Sequence, residues 1–285
     1  MAEILQTKIK LFAEMKAQKF GENFRDRLLT DYEQEDLLES KKFIQEYLQL
    51  DSLQGYTFLD AGCGSGVFTL AALELGAKVT AFDMDPVALQ NTKDLLAKFN
   101  YPSDTLTLLE GSILDKAFVE SLGTFDCVLC WGVVHHCGEM WKGIELITKT
   151  VKQGGQIHFG IYNHADSWGF YPDGRFGPST FWRKIKKFYV KLPNFFQSFV
   201  DGLATLGIVF IYLITFNNPI KKLKSNERRG MNWQSDLKDW LIGYPYEYAK
   251  PEEVFEFMIL RGFNLVKMKT NNGLLTNNYV FLNIK

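Results

Sequence analysis

From residue 57 onward, short apolar runs recur at regular distances, and a helix-length stretch of mixed polarity fills each gap. The runs fall at 57–61, 78–82, 105–109, 125–131 and 155–161 and read as strands. Between them the spacing of apolar residues predicts helices over 66–75, 86–99, 114–121 and 139–151. Asp85 precedes Pro86, a cap followed by a residue suited to the first helical turn. Strand and helix in strict alternation predict βαβ units, hence a parallel sheet with helices on both faces. Upstream, residues 2–20 and 35–49 carry amphipathic helical patterns, with "FGENF" at 20–24 between them.

The rhythm stops after Asn163 for almost ninety residues. The segment 164–250 is rich in aromatic residues and locally basic at 183–191 and 221–229. Regular patterning returns with a helix at 251–261 and strands near 263–269 and 278–284, joined by the Gly/Asn-rich "TNNGLLTNN". Two strands so joined form a hairpin, which gives a seven-stranded sheet an antiparallel edge. Within the insertion, residues 199–216 hold Asp201 as their one charge and approach membrane-spanning length. A buried helix is the expectation. A helix lying on a membrane surface, its basic flanks on anionic lipid, is the alternative. A true span is disfavoured, because it would part the core from the last helix and hairpin of the same sheet.

Composition narrows the class. In 285 residues, 46% hydrophobic, there is material for a large domain with an elaboration. Lys and Arg number 32 against 33 Asp and Glu, so no basic excess points to nucleic acid. Cys127 and Cys130 form C-x-x-C within a strand, where alternation turns them to opposite faces. That arrangement suits neither a zinc site nor a redox pair, and no metal is expected. The opening residues interleave charge at helical spacing rather than forming a signal peptide, so a cytoplasmic location is expected.

The most informative stretch is "FLDAGCGSGVFTLAALELGAKVTAFDMDP", 58–86. Gly62, Gly64 and Gly66 crowd the turn between the first strand and first helix, where a ligand can approach the backbone closely. The second strand ends at Asp83, seventeen residues after Gly66. A carboxylate there can accept hydrogen bonds from both hydroxyls of a ribose, so the pattern points to a nucleoside-containing cofactor. The third glycine comes too early for the dinucleotide fingerprint, which disfavours a nicotinamide oxidoreductase.

"FLDAGCGSG", "VTAFDMDP", "LLEGSILD", "FDCVLCWGVVHH" and "GGQIHFGIYN" follow one another between about residues 56 and 163. This series resembles the ordered motifs of class I S-adenosylmethionine-dependent methyltransferases, and most of all the small-molecule group that includes quinone-pathway O-methyltransferases. The resemblance implies a Rossmann-like α/β fold with a mainly helical lid insertion, S-adenosyl-L-methionine as cofactor and S-adenosyl-L-homocysteine as product. It divides the chain into N-terminal helices (1–50) packing on or closing over the cofactor site, a cofactor-binding core (51–163), a lid (164–250) and a closing helix and hairpin (251–285).

Position by position, it implies that Asp60 and the loop Gly62-Cys63-Gly64-Ser65-Gly66 contact the methionine part. Asp83 would hold the ribose and Met84 would pack on the adenine. Ser112 stands where the family usually offers an acid to the adenine amino group, with the backbone of Ile113 serving a ring nitrogen. Trp131 would line the methyl-donor pocket, and Phe20 and Asn23 would close over it.

Methyl transfer from a sulfonium needs an oriented acceptor and, for a hydroxyl, a base. The pair His135-His136 follows the fourth strand, at the end of the sheet where open α/β proteins build their sites. An imidazole near neutrality is suited to the task. In the resembling family the second histidine commonly faces the acceptor, which favours His136; the alternative is that the pair only shapes the loop. Tyr162, Asn163, Arg229, Trp233, Tyr244 and Tyr246 are the candidate acceptor-binding residues. O-methylation of a small molecule is therefore expected. An N- or C-methyltransferase and a non-catalytic cofactor-binding scaffold are the alternatives, and the oligomeric state stays open.

Overall fold

The computed structural model describes residues 32–102, 104, 106–165, 177–216, 218 and 241–285. Helix α1 (Gln34–Leu48) precedes the sheet. Then come β1 (Thr57–Ala61), α2 (Val67–Glu74), β2 (Lys78–Asp83), α3 (Pro86–Lys98), β3 (Leu106–Glu110), α4 (Lys116–Ser121), β4 (Phe125–Cys130), α5 (Met140–Thr148) and β5 (Val151–Asn163). The insertion contributes α6 (Pro178–Tyr189), α7 (Asn194–Ile214) and a two-residue strand β6 (Tyr248–Ala249). Helix α8 (Pro251–Ile259) and strands β7 (Phe263–Lys269) and β8 (Thr276–Asn283) complete the chain.

The strand order is β3-β2-β1-β4-β5-β8-β7, with β6 beside the end of β5. Strands β1 to β6 pair in parallel, while β8 runs antiparallel to both β5 and β7. The expected mostly parallel sheet with an antiparallel C-terminal hairpin is thus present, with β6 as an eighth, short strand. Alternate residues of each strand feed two separate cores. Phe58, Val79, Ala81, Cys127 and Leu129 pack with Leu37 and Ile44 of α1, Leu70 of α2 and Leu95 of α3. Leu59, Ala61, Phe82, Val128 and Cys130 pack with Ile144 and Ile147 of α5 and Val254 and Met258 of α8. Cys127 and Cys130 accordingly lie on opposite faces, each buried in its own core.

Three differences from the sequence expectation have physical causes. Strand β5 begins at Val151 rather than 155, because Gly154 takes a left-handed conformation and the register shifts between Phe125 and Cys127. This bulge hides the strand's first turn behind glycines that read as a loop. Helix α5 ends at Thr148, and the Thr150 carbonyl already accepts the Phe125 N–H at the start of β4 (2.8 Å). Third, α7 is long and apolar as expected but its outer face is exposed, so its expected burial is corrected: 6% of Phe195–Ile214 is buried.

Candidate active site

Strand order reverses direction at β1, with β2 on one side and β4 on the other. The crevice beyond the carboxyl ends of β1 and β4 is the place where open α/β sheets bind ligands. Two loops border it: 62–66 after β1, and 131–136 after β4. They touch, since a side-chain carbon on Gly62 would lie 2.5 Å from Val133 Cγ2.

The glycine loop is held from three sides. Gly62 and Cys63 N–H both donate to the Phe82 carbonyl of β2 (2.8 and 2.9 Å). Thr92 of α3 donates its hydroxyl to the Gly64 carbonyl (3.1 Å) and lies against Cys63 Sγ (3.7 Å). Gly64 N–H donates to Asp83 Oδ2 (2.9 Å). Two of the glycines do different work. Gly66 has φ +81° and its missing side chain would strike Thr92 at 2.7 Å, so it serves packing. Gly64 has φ +55° and nothing within 4 Å of where a Cβ would stand. The loop at Gly64 therefore opens onto space rather than onto protein.

Asp83 is half-buried at the tip of β2. Its second oxygen accepts the Asp85 N–H (3.0 Å), and burial raises its pKa against the pull of the Asp85, Gly64 and Met84 N–H groups. A carboxylate oxygen has two lone-pair sites, so each retains capacity for one hydroxyl donor. Met84, also half-buried, is next in the chain. Asp60, one strand over, is fully buried and accepts the Thr69 hydroxyl (2.6 Å). Burial, and less so Asp83, lift its pKa to about 7. Ser112 follows β3, and its hydroxyl oxygen accepts the Leu114 N–H (3.3 Å), with Ile113 buried between.

On the other wall, Trp131 donates its indole N–H to Asn278 Oδ1 (2.7 Å) and meets Phe43 and Phe68 edge-on. Helix α1 packs Phe43 against this wall and stacks Tyr47 on the buried His158 ring at 4.3 Å. Phe20 and Asn23, expected to close over the same place, lie outside the described residues, as do Arg229 and Trp233.

The two histidines, in a short 3-10 turn (Val134–His136), are not equivalent. His135 is buried, gives its Nδ1 proton to the Gly160 carbonyl (3.0 Å), and has its pKa pushed by burial down to about 3. So weak a base stays neutral near neutral pH, and the structure places His135 as a buried support of the turn. His136 is half-buried and its Nδ1 meets the Pro245 carbonyl at 2.8 Å. A carbonyl only accepts, so that nitrogen carries a proton.

Sequence reasoning missed what holds this turn. Glu247, two residues past Pro245, accepts from Gly138 N–H (2.8 Å) and Met140 N–H (3.1 Å), capping α5 with a carboxylate. Its own N–H donates to the His135 carbonyl (3.0 Å). Lys186 was missed too: it is fully buried, with Nζ 4.5 Å from the Tyr246 ring centre and 5.4 Å from that of Tyr162. A run of surface-looking lysines in α6 carries no sign that one of them turns inward.

Among the expected acceptor-binding residues, Tyr162 and Tyr244 are half-buried, and the Tyr162 ring faces His135 (4.3 Å) and His136 (5.5 Å). Tyr246 is instead fully buried against Tyr162. Asn163 is buried as well; its amide donates to the Gly273 carbonyl and accepts from Asn277 (2.9 and 3.0 Å). In the structure both are placed where the hairpin and the insertion's return meet.

This arrangement is matched by a family model described as a methyltransferase domain, over residues 59–157. Residues 59–157 thus match a methyltransferase domain. Over 115 residues it is 31% identical to a ubiquinone biosynthesis O-methyltransferase of Vibrio parahaemolyticus, covering 40% of this chain and 46% of that protein. A ribosomal protein L11 methyltransferase of Clostridium botulinum is 39% identical over 75 residues, 26% of this chain and 22% of its own. The chain thus spans about half, or less, of the curated relatives it matches. Among solved structures, magnesium protoporphyrin IX methyltransferase of Synechocystis PCC 6803, with S-adenosylhomocysteine bound, superposes with a TM-score of 0.54 at 13% identity, over 96% of this chain and 99% of that one. A Rickettsia typhi protein in complex with the same product gives 0.55 at 14%, over 87% and 54%. This chain shares its fold with both.

Proposed function

We propose that the protein transfers a methyl group from S-adenosylmethionine to a hydroxyl of a small-molecule acceptor. The observation that carries this reading is the pairing of Asp83 with Gly64: a carboxylate with two unused lone-pair sites, joined to a loop whose backbone is bare toward open space. Asp83 would accept the two ribose hydroxyls, and Met84 would lie on the adenine beside Ser112 and Ile113. Asp60 and the loop 62–66 would hold the amino acid end. The cofactor, when bound, supplies an activated methyl group on a sulfonium.

The remaining work falls to side chains of this chain. Phe43, Phe68 and Trp131 build an apolar wall that excludes water. His136, its ring held through Nδ1 by Pro245, offers Nε2 to an acceptor hydroxyl and takes its proton. Tyr162 stands beside it to orient the acceptor. The preference for oxygen rests on His136, since an amine acceptor can be methylated by proximity alone.

Calorimetric titration with S-adenosylhomocysteine, with NAD as control, tests the cofactor reading. Micromolar binding of the first and none of the second is expected. Binding of NAD alone, or of neither, would overturn it.

A further inference from the structure

Methyl transfer leaves α7 unexplained. One side of this helix is fastened to the protein. Gln197 donates to the carbonyls of Tyr189 and Leu192 (3.2 and 3.0 Å), Asp201 accepts the Tyr189 hydroxyl (2.6 Å), and Val200 and Ala204 pack on Tyr189, Leu241 and Ile242. The other side is bare. Phe199 is 63% exposed, Leu206 65%, Phe210 63%, and Phe216, just past the helix end, 98%. At ~100° per residue, Phe199, Leu203, Leu206, Phe210 and Leu213 fall within roughly 80° of one another, and Phe196 and Ile214 widen the bare arc to roughly 100°. A helix-to-helix seam is a narrow stripe; an arc this wide fits a medium rather than a single partner helix. Exposure runs from Phe195 at one end to Phe216 at the other, so the helix lies along the protein's surface instead of entering it end-on.

Charge says which medium. The protein as a whole carries a net charge of −1, yet residues 174–200 hold six cations and no acid. In the neighbouring α6 and the turn after it, Arg183, Lys184, Lys187 and Lys191 are exposed, with Phe188 between them. From Gly202 to Ile220 no charged residue occurs. An apolar helix with a cationic neighbour is the combination that settles on anionic headgroups, aliphatic and aromatic side chains reaching the acyl boundary and lysines staying with phosphate.

We propose that the α6–α7 pair docks the protein, in the plane of the interface, on an anionic lipid bilayer. The attachment concerns a face formed by the insertion, and it stands or falls independently of the cofactor reading, because S-adenosylhomocysteine binding is measured in solution without lipid.

The test is flotation of the full chain with vesicles of phosphatidylcholine alone and of phosphatidylcholine mixed with phosphatidylglycerol, at low and high salt. Association with the mixed vesicles is expected, weakened by salt and poor on the neutral ones. The double variant L206D/F210D, placed on the bare arc, should abolish it while leaving product binding intact. Lys187→Ala and Lys191→Ala should each weaken it about fivefold. Absence of flotation, or equal flotation on both vesicles without a salt effect, would overturn the proposal. So would a wild-type dimer in sedimentation that L206D/F210D turns into a monomer without any lipid binding, which would assign the face to a second copy.

Discussion

Removing the Asp83 carboxylate is the sharpest perturbation of the proposed cofactor site. Each of its oxygens already accepts one backbone N–H, from Gly64 at 2.9 Å and from Asp85 at 3.0 Å, so the ribose would use the remaining lone pairs. Hydrogen bonds to a charged group are worth about 1.5–3 kcal/mol net, which corresponds to a Kd for S-adenosylhomocysteine roughly 10- to 150-fold higher in Asp83→Ala. Asp83→Asn should fall between, because its amide keeps one acceptor oxygen but turns N–H groups toward one of the two backbone donors. A pH series separates the carboxylate from the shape of the loop. Burial raises the Asp83 pKa, so as pH falls through that raised value the ionised acceptor disappears and wild-type affinity declines. The alanine variant should lack this limb. Calorimetry supplies the affinities, and urea unfolding confirms that each variant is folded. A folded Asp83→Ala protein binding within about twofold of wild type would refute the ribose assignment, since that is far below the cost of one charge-assisted bond.

Other outcomes follow from the same geometry. Gly64→Ala should cost roughly 1–2 kcal/mol for its left-handed backbone and impair product binding more than folding, whereas Gly66→Ala meets Thr92 and should impair folding first; thermal melts and titrations of both variants decide. The Asp60 pKa of about 7 lies above its unfolded value, so the folded state holds a proton the unfolded state has lost: stability is fully present below about pH 4 and is lost as pH rises toward 7. Asp60→Asn should flatten that slope in denaturant titrations, and wild-type cofactor binding near pH 6 should release a proton, read from calorimetry in buffers of different ionisation enthalpy. Glu247→Ala leaves two N–H groups at the start of α5 without their acceptor and should destabilise the fold by about 1–3 kcal/mol in urea. His136→Ala should lower kcat for a hydroxyl acceptor by about 100-fold or more with product affinity unchanged, while equal turnover would remove it as the base.

What could be read in the sequence was what is written locally. The alternation of apolar runs specified β1 to β5 because each strand feeds two cores and so reads as apolar throughout. The glycine loop and Asp83 were legible because close backbone approach permits few residue types. Illegible features depend on long-range pairing. Glu247 caps a helix more than a hundred residues earlier, β6 is two residues long, and Lys186 is one cation among several until the fold buries it. The two histidines look alike in sequence; only the depth of the turn separates a fully buried ring from a half-buried one. The exposure of α7 was equally hidden, since an apolar helix has the same composition whether protein or something else covers it.

Where the insertion begins and ends has an evolutionary consequence. It leaves at Asn163 and returns at Ala249, positions that are register partners, with His164 N–H clasping the Ala249 carbonyl at 3.1 Å. The two ends of the insertion thus meet at a closed neck, so its length can change by recombination without separating the strands that flank it. The neck is not inert, however: Pro245 and Glu247, just inside it, grip the His136 turn and the start of α5. A lineage could thus trade one insertion for another while inheriting the same His136 turn, provided those few neck residues travelled with the core.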